Sequence, residues 1–235
     1  MPTALITGSS RGIGRRTAEL LAQRGWDLML TARSEDQLDT LAQQLRTCGS
    51  SVATAAIDLT EPDSIGSALT DLLGRGDTPS VLINNAGAAY TGDLVSMPLD
   101  RWQWLLQLNL TSVMQVCSVV VPEMRAKGGL VINISSHAAR NAFPQWGAYC
   151  ITKAALASFT RCLAEEERCH GIRASTLTLG AVNTPLWDAE TVHSDFDRRA
   201  MLPVDQAADA LVSLVEQPST QVIEDLTLMP AAGAF

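Results

Sequence analysis

The sequence predicts an α/β fold, a single doubly wound parallel sheet with helices on both faces. Three observations carry that expectation. Short runs rich in β-branched and aliphatic residues alternate with amphipathic helical stretches along the whole chain, the pattern of parallel strands joined by crossover helices. A glycine-rich turn joins the first such run to the first helical stretch. The chain has 235 residues, 46% hydrophobic and only 18% charged, enough for one sizeable core and one domain.

Taken in order, residues 3–7 read as a strand, 11–24 as a helix and 28–32 as a second strand. A helix over 35–47, a strand at 52–57, a helix over 62–73 and a strand at 81–84 follow. One long helix is expected over 99–126, separated by Gly128-Gly129 from a strand at 130–134. A helix carrying Tyr149 runs to about 169, a strand spans 172–177, and a helix at 204–216 and a strand at 224–228 close the chain. No repeat or low-complexity tract interrupts the series.

Composition excludes several function classes. A net charge of -8 argues against nucleic acid or an anionic membrane as partner. No basic segment precedes the first apolar run, and no uninterrupted apolar run approaches the ~20 residues of a membrane span, so a soluble, cytoplasmic protein is expected. Five cysteines form no CxxC pair and leave one over in any disulfide scheme, which fits reduced thiols and no metal site.

Two local patterns point to chemistry. Thr7-Gly8-Ser9-Ser10-Arg11-Gly12-Ile13-Gly14 follows a strand and opens a helix. Glycines there allow a tight turn and bring backbone N–H groups to an anion at the positive helix end, although glycine also serves turns with no ligand. The same residues match GxSxG, which makes a serine hydrolase using Ser10 the rival reading. Against it, only seven residues precede Gly8 and could supply the second oxyanion donor, and none of the three histidines sits in a recognisable triad setting. The second pattern is Tyr149 and Lys153, four apart and on one helical face. An ammonium beside a phenol favours the phenolate and lowers its pKa, which suits proton exchange with a carbonyl or alcohol. A solvated amine beside an apolar ring gives the same spacing.

Together with Asp58, Asn84-Asn85-Ala86-Gly87, Asn109, Ser136 and the run Gly180 to Thr184, these residues resemble the short-chain dehydrogenase/reductases in order and spacing over nearly the whole chain. The resemblance implies a Rossmann-like fold and a hydride transfer between a nicotinamide cofactor and a carbonyl or secondary alcohol. It implies that Gly8, Ser10, Gly12, Ile13 and Gly14 form the pyrophosphate turn, that Asp58 and the Leu59 backbone meet adenine, and that Asn85, Ala86 and Gly87 lie beside the adenine-side ribose. Tyr149 would be the general acid, Lys153 would lower its pKa and bind the nicotinamide ribose, and Ser136 would hold the substrate oxygen. Asn109 would hold a relay water against Lys153, and Gly180, Val182 and Thr184 would contact the carboxamide. A catalytically silent dinucleotide-binding sensor on the same fold is the alternative. Singly, Asp58 reads equally as a helix cap, Asn109 as a polar residue bending its helix, and Ser136 as a strand-end hydroxyl.

Cofactor choice follows from the second strand. NAD selection places a carboxylate at that strand's carboxyl end, but the nearest acid, Asp27, precedes Ala32 by five residues, ~16 Å, and stands at the wrong end. Arg33 follows Ala32, and Arg11 lies in the glycine turn; both resemble the NADP-preferring members, so NADPH over NADH is expected. Phe143, Trp146, Trp187 and Met97 are expected to give a small-molecule pocket its apolar surface. His137 and Cys150 are expected to pack or face solvent. Arg125, Lys127 and Arg168 are conceivable docking charges for an acidic acyl carrier. Leu179 stands where the family usually has proline, which predicts a softer nicotinamide loop. The tail 228–235 lacks the family's usual glycine pair, and the apolar long helices predict a homodimer or homotetramer.

Overall fold

In the computed structural model, which describes residues 1–233, the chain alternates strand and helix as expected. β1 (Thr3–Thr7), α1 (Gly12–Gln23), β2 (Asp27–Ala32), α2 (Glu35–Arg46), β3 (Val52–Ala56), α3 (Pro62–Leu73) and β4 (Val81–Asn84) form its first half. Then come α4 (Leu99–Leu106), α5 (Ser112–Met124), β5 (Gly129–Ser136), α6 (Gly147–Glu167), β6 (Ile172–Leu179), α7 (Val204–Val215) and β7 (Asp225–Leu228). Every strand pairing is parallel, in the order β3-β2-β1-β4-β5-β6-β7. The chain winds outward from β1 to β3 and then returns to β4 on the other side. That reversal leaves a crevice at the carboxyl ends of β1 and β4, where open α/β sheets bind ligands.

The sheet is buried on both faces, so its strands are nearly continuous apolar runs. Ala4 and Ile6 of β1 face a core with Leu21 of α1, Leu41 of α2 and Leu211 of α7. Leu5 points the other way, into a core with Ile65 of α3, Val116 of α5 and Leu156 of α6.

The single long helix expected over 99–126 is interrupted. A π-helical turn at Gln107–Thr111 separates α4 from α5, and Asn109 sits in it, with its side chain hydrogen-bonded to the Ala88 backbone in the loop after β4. The run Leu99–Met124 is long and apolar enough by composition to cross a membrane, but its inward face, Leu105, Val113, Val116 and Val120, is buried core. Met114 faces out, as do Leu99 and, on α6, Ile151.

Leu179 belongs to the strand and not to the loop that follows it. Having an N–H that proline lacks, it extends β6 two residues beyond the predicted end, paired with Ser136 and Leu228 and buried. Of the unusual tail, Met229 to Gly233 are described, while Ala234 and Phe235 lie outside the described residues. All five cysteines are free.

Candidate active site

The glycine turn is shaped by its contact with the loop after β4. Gly8 and Gly12 have φ of 64° and 58°, the left-handed region that glycine tolerates. A Cβ on Gly8 would stand 2.8 Å from the Ala86 Cα, and one on Gly14 would stand 2.5 Å from the Asn85 Nδ2. Asn85 laces the two segments together: its Nδ2 donates to the carbonyls of Thr7 and Gly8, both at 3.0 Å, and the Thr7 hydroxyl accepts from the N–H groups of Asn85 and Ala86. Gly14 therefore packs, and does not line the crevice. Gly8, Ser10, Arg11, Gly12 and Ile13 do, opening a cavity of about 920 Å³ along the carboxyl edge of the sheet. Asp27 lies at the opposite edge, where its carboxylate accepts from the Ser51 N–H at 2.7 Å.

A phosphate-bearing dinucleotide fits these residues. The N-cap of α1, Arg11, places no side-chain cap over the first helical N–H groups, so they remain directed at the crevice. Arg11 and Arg33 both line the cavity, and neither is ion-paired among the described residues. Leu59, Asn85, Ala86 and Gly87 also line it, but Asp58 does not. The Asp58 carboxylate turns back to accept from the Thr60 N–H and hydroxyl at 2.9 and 2.7 Å, a local turn that leaves Ile57, Leu59 and Thr60 as the wall.

Ser136, Tyr149 and Lys153 meet on the same cavity. Ser136 ends β5, and its Oγ accepts from the Ala138 N–H, which leaves its O–H to hydrogen-bond the Tyr149 phenol. One turn along α6, the Lys153 Nζ donates to the Ile134 carbonyl at 2.9 Å and lies 5.8 Å from the Tyr149 ring centre. Tyr149 is half-buried on the cavity, and burial pushes its pKa up to about 12, with Ser136 pulling the other way. Burial also pulls Lys153 down to about 8. The expected depression of the phenol by Lys153 is not seen: burial penalises both charged forms, and the one group that lowers the phenol is Ser136. Asn109 is buried behind them. Its Oδ1 accepts from the Ala88 N–H, and its Nδ2 donates to the Ala88 carbonyl and to the Thr152 hydroxyl, so the side chain ties the β4 loop to α6 and does not face the cavity.

Gly180, Val182 and Thr184 line the far side. Gly180 is also a packing glycine, since a Cβ there would stand 2.5 Å from the Pro230 Cδ. Of the predicted apolar residues, Phe143, Trp146 and Trp187 line the cavity and Met97 does not. Phe196, Met229, Glu190 and His137 line it unpredicted. His137, expected to pack or face solvent, reaches the cavity because β5 stops at Ser136 and a 3₁₀ turn begins, which puts its ring centre 6.1 Å from that of Phe143. The conceivable carrier-docking charges lie at the opposite end of the sheet, and two are spent: Arg125 forks onto Glu167 at 2.8 and 2.6 Å, holding that carboxyl below its usual range, and Arg168 pairs with Glu165.

A family model described as short chain dehydrogenase matches residues 2–194. The chain belongs to the short-chain dehydrogenases. It is a member of an oxidoreductase family whose chemistry runs on a nicotinamide dinucleotide. An uncharacterized oxidoreductase of Staphylococcus saprophyticus is 32% identical, with 98% of this chain and 96% of the relative covered. Serine 3-dehydrogenase of Rhizobium radiobacter is 30% identical, over 99% of this chain and 95% of the relative. The alcohol dehydrogenase of Thermococcus sibiricus, solved with 5-hydroxy-NADP, superposes with a TM-score of 0.90 at 28% identity, covering 98% and 97% of the two chains.

Proposed function

We propose that this protein is an NADPH-dependent carbonyl reductase that works as a soluble, cytoplasmic homodimer or homotetramer. The observation that carries the reading is the convergence of Ser136, Tyr149 and Lys153 on one cavity whose other end presents Arg11 and Arg33. When bound, the nicotinamide supplies the hydride. The chain supplies the rest. Below about pH 12 the Tyr149 phenol keeps its proton, and can hand it to a carbonyl oxygen as negative charge develops there. The Ser136 O–H holds that oxygen, and the Lys153 ammonium stabilises the phenolate as it forms, so both act more strongly in the transition state than before it. Arg11 and Arg33 would clasp a 2′-phosphate, as the Thermococcus sibiricus enzyme's NADP-type ligand favours.

Asn109 would serve this chemistry by fixing the Gly87-Ala88 backbone against α6, close enough that a Cβ on Gly87 would lie 3.5 Å from the Lys153 Nζ. The outward Met114, Leu99 and Ile151 are the surface on which copies of the chain would pair. Following NADPH and NADH oxidation against a panel of carbonyl compounds tests the reading: turnover with NADPH preferred supports it, and cofactor binding without turnover would favour the silent sensor. Light scattering that finds only active monomer at micromolar concentration would overturn the assembly.

A further inference from the structure

Beside the polar triad the cavity wall is aromatic. Trp146, Trp187 and Phe196 touch one another, with ring centres 5.6 Å apart for Trp146 and Trp187, 5.6 Å for Trp187 and Phe196, and 6.4 Å for the nearly parallel Trp146 and Phe196. Trp146 also meets the Tyr149 ring edge-on at 5.7 Å, so the cluster begins one ring away from the phenol. None of the three belongs to either core of the sheet, and all are half-buried on the cavity. The fold does not require them for its interior. The Trp187 Nε1 donates to the Val182 carbonyl at 2.8 Å, which fixes that ring and leaves its carbon surface to the cavity.

Charge narrows what such a wall can hold. Of the cations on the cavity, Arg11 and Arg33 stand at the α1 and β2 end, and Lys153 is held behind the phenol by Ile134. Apart from these three, the lining residues include no lysine or arginine, and Glu190, three residues after Trp187, is the one carboxylate among them. A substrate carboxylate would be desolvated there without a partner and repelled. Serine, named as the substrate of the Rhizobium radiobacter relative, carries such a group and does not fit this wall.

We propose that the substrate is a neutral aryl ketone or aryl aldehyde, with the aromatic ring on the carbonyl carbon or one carbon removed, seated against Trp146, Trp187 and Phe196. This rests on the reductase reading above. The carbonyl carbon gains a hydride and its oxygen gains the Tyr149 proton, so the ketone is reduced to a benzylic-type alcohol while NADPH is oxidised to NADP⁺. Ring-on-ring contacts favour an aryl group over a saturated ring of the same size, because the π quadrupole adds to the area buried.

The test compares acetophenone, cyclohexyl methyl ketone and phenylglyoxylate. Two readouts are used: kcat/KM of the wild type with NADPH, and calorimetric binding to NADPH-loaded Tyr149→Phe. Acetophenone should exceed the saturated ketone by about tenfold in both, and phenylglyoxylate should bind more weakly than either ketone. Trp146→Leu and Phe196→Leu should each bring the aryl-to-saturated ratio toward one. Phe196 lies outside the core, so its variant serves if Trp146→Leu does not fold. Equal use of the two ketones, or an unchanged ratio in the folded variants, overturns the aryl site and leaves the reductase reading standing. Aryl-selective binding with no turnover by wild type supports the aryl site and overturns the reductase reading. Neither binding nor turnover of acetophenone overturns the aryl site.

Discussion

The two ends of the cavity are made of different material. At the dinucleotide end the wall is backbone: a glycine turn in left-handed φ, the open N-terminus of α1, and a β4 loop laced to the turn by Asn85 and Thr7. At the other end it is side chains from segments far apart in sequence, namely the turn after β5, the start of α6, the 185–200 loop and Met229. A backbone site has little freedom, because Gly8 and Gly14 are hemmed in by backbone atoms and Gly12 is held at a left-handed φ, and it can be kept while the other end changes. The side-chain end can be rebuilt residue by residue, and this is where substrate choice is expected to reside.

The sharpest break between the two ends should come from Tyr149→Phe. Loss of the general acid is expected to lower kcat by ~10² to 10⁴. NADPH affinity should stay within about threefold, since distant, independent sites contribute additively. Stopped-flow turnover and fluorescence titration of NADPH read the two effects separately. A variant that keeps its turnover would remove Tyr149 from the mechanism, and one that loses NADPH binding would show that the ends are not separable.

Arg33→Asp works on the other end. A charged hydrogen bond is worth about 1.5 to 3 kcal/mol, so the ratio of kcat/KM for NADPH over NADH should fall by about 10 to 100-fold. A wild type that favours NADH would contradict the assignment of both arginines outright.

The same contrast explains what the sequence disclosed. The succession of strands and crossover helices and the dinucleotide end were legible, because their determinants are local: apolar runs of strand length, glycines at fixed offsets, and an arginine directly after β2. Tyr149 and Lys153 were legible because they share one helix. What escaped depends on how the chain packs. Asp58 satisfies itself on Thr60, Gly14 and Gly180 exclude a Cβ for packing, and Met97 points elsewhere. Phe196 reaches the rings from a loop nine residues beyond the last one predicted, and His137 joins the wall only because β5 ends one residue earlier. No periodicity records such approaches.

A pH profile separates the ends more finely. Tyr149, pushed up to about 12, stays protonated at neutral pH, while Lys153, pulled down to about 8 by burial, does not keep its ammonium at alkaline pH. The charge that supports proton transfer is present below about pH 8 and is lost as pH rises through it. The kcat/KM for NADPH reports groups of the free enzyme, so in the reductive direction it should approach a tenfold fall per unit above that point. The aryl-to-saturated ratio should not change, because the rings do not titrate. A profile flat to pH 10 would dissociate Lys153 from catalysis.

The smallest effect is expected where the two ends join. Arg198 donates from Nε to the Asn183 Oδ1, from Nη1 to the Asp188 Oδ1 and from Nη2 to the Thr184 carbonyl, at 2.8, 2.8 and 2.9 Å, so one guanidinium fixes both sides of the turn after β6. Thr184 in that turn lies 3.7 Å from where a Cβ on Gly12 would stand, beside the glycine turn, while Trp187 carries the rings. The far side of the same loop is fastened independently, the Thr91 N–H donating to the Thr191 carbonyl at 2.9 Å and the Thr191 hydroxyl to the Ala89 carbonyl at 2.8 Å. Arg198→Met should therefore loosen the foot of the loop without releasing it. Each bond contributes about 0.5 to 1.5 kcal/mol at most, and partial exposure screens the ion pair to Asp188. The expected result is a KM for ketone raised by about three- to tenfold with kcat nearly unchanged, the signature of binding lost equally from ground and transition states. Arg198→Lys should recover little of it, because a point charge cannot span three acceptors. A variant that lowers kcat and leaves KM alone would instead place Arg198 in the chemistry, and the turn after β6 would then have to be counted with the catalytic residues.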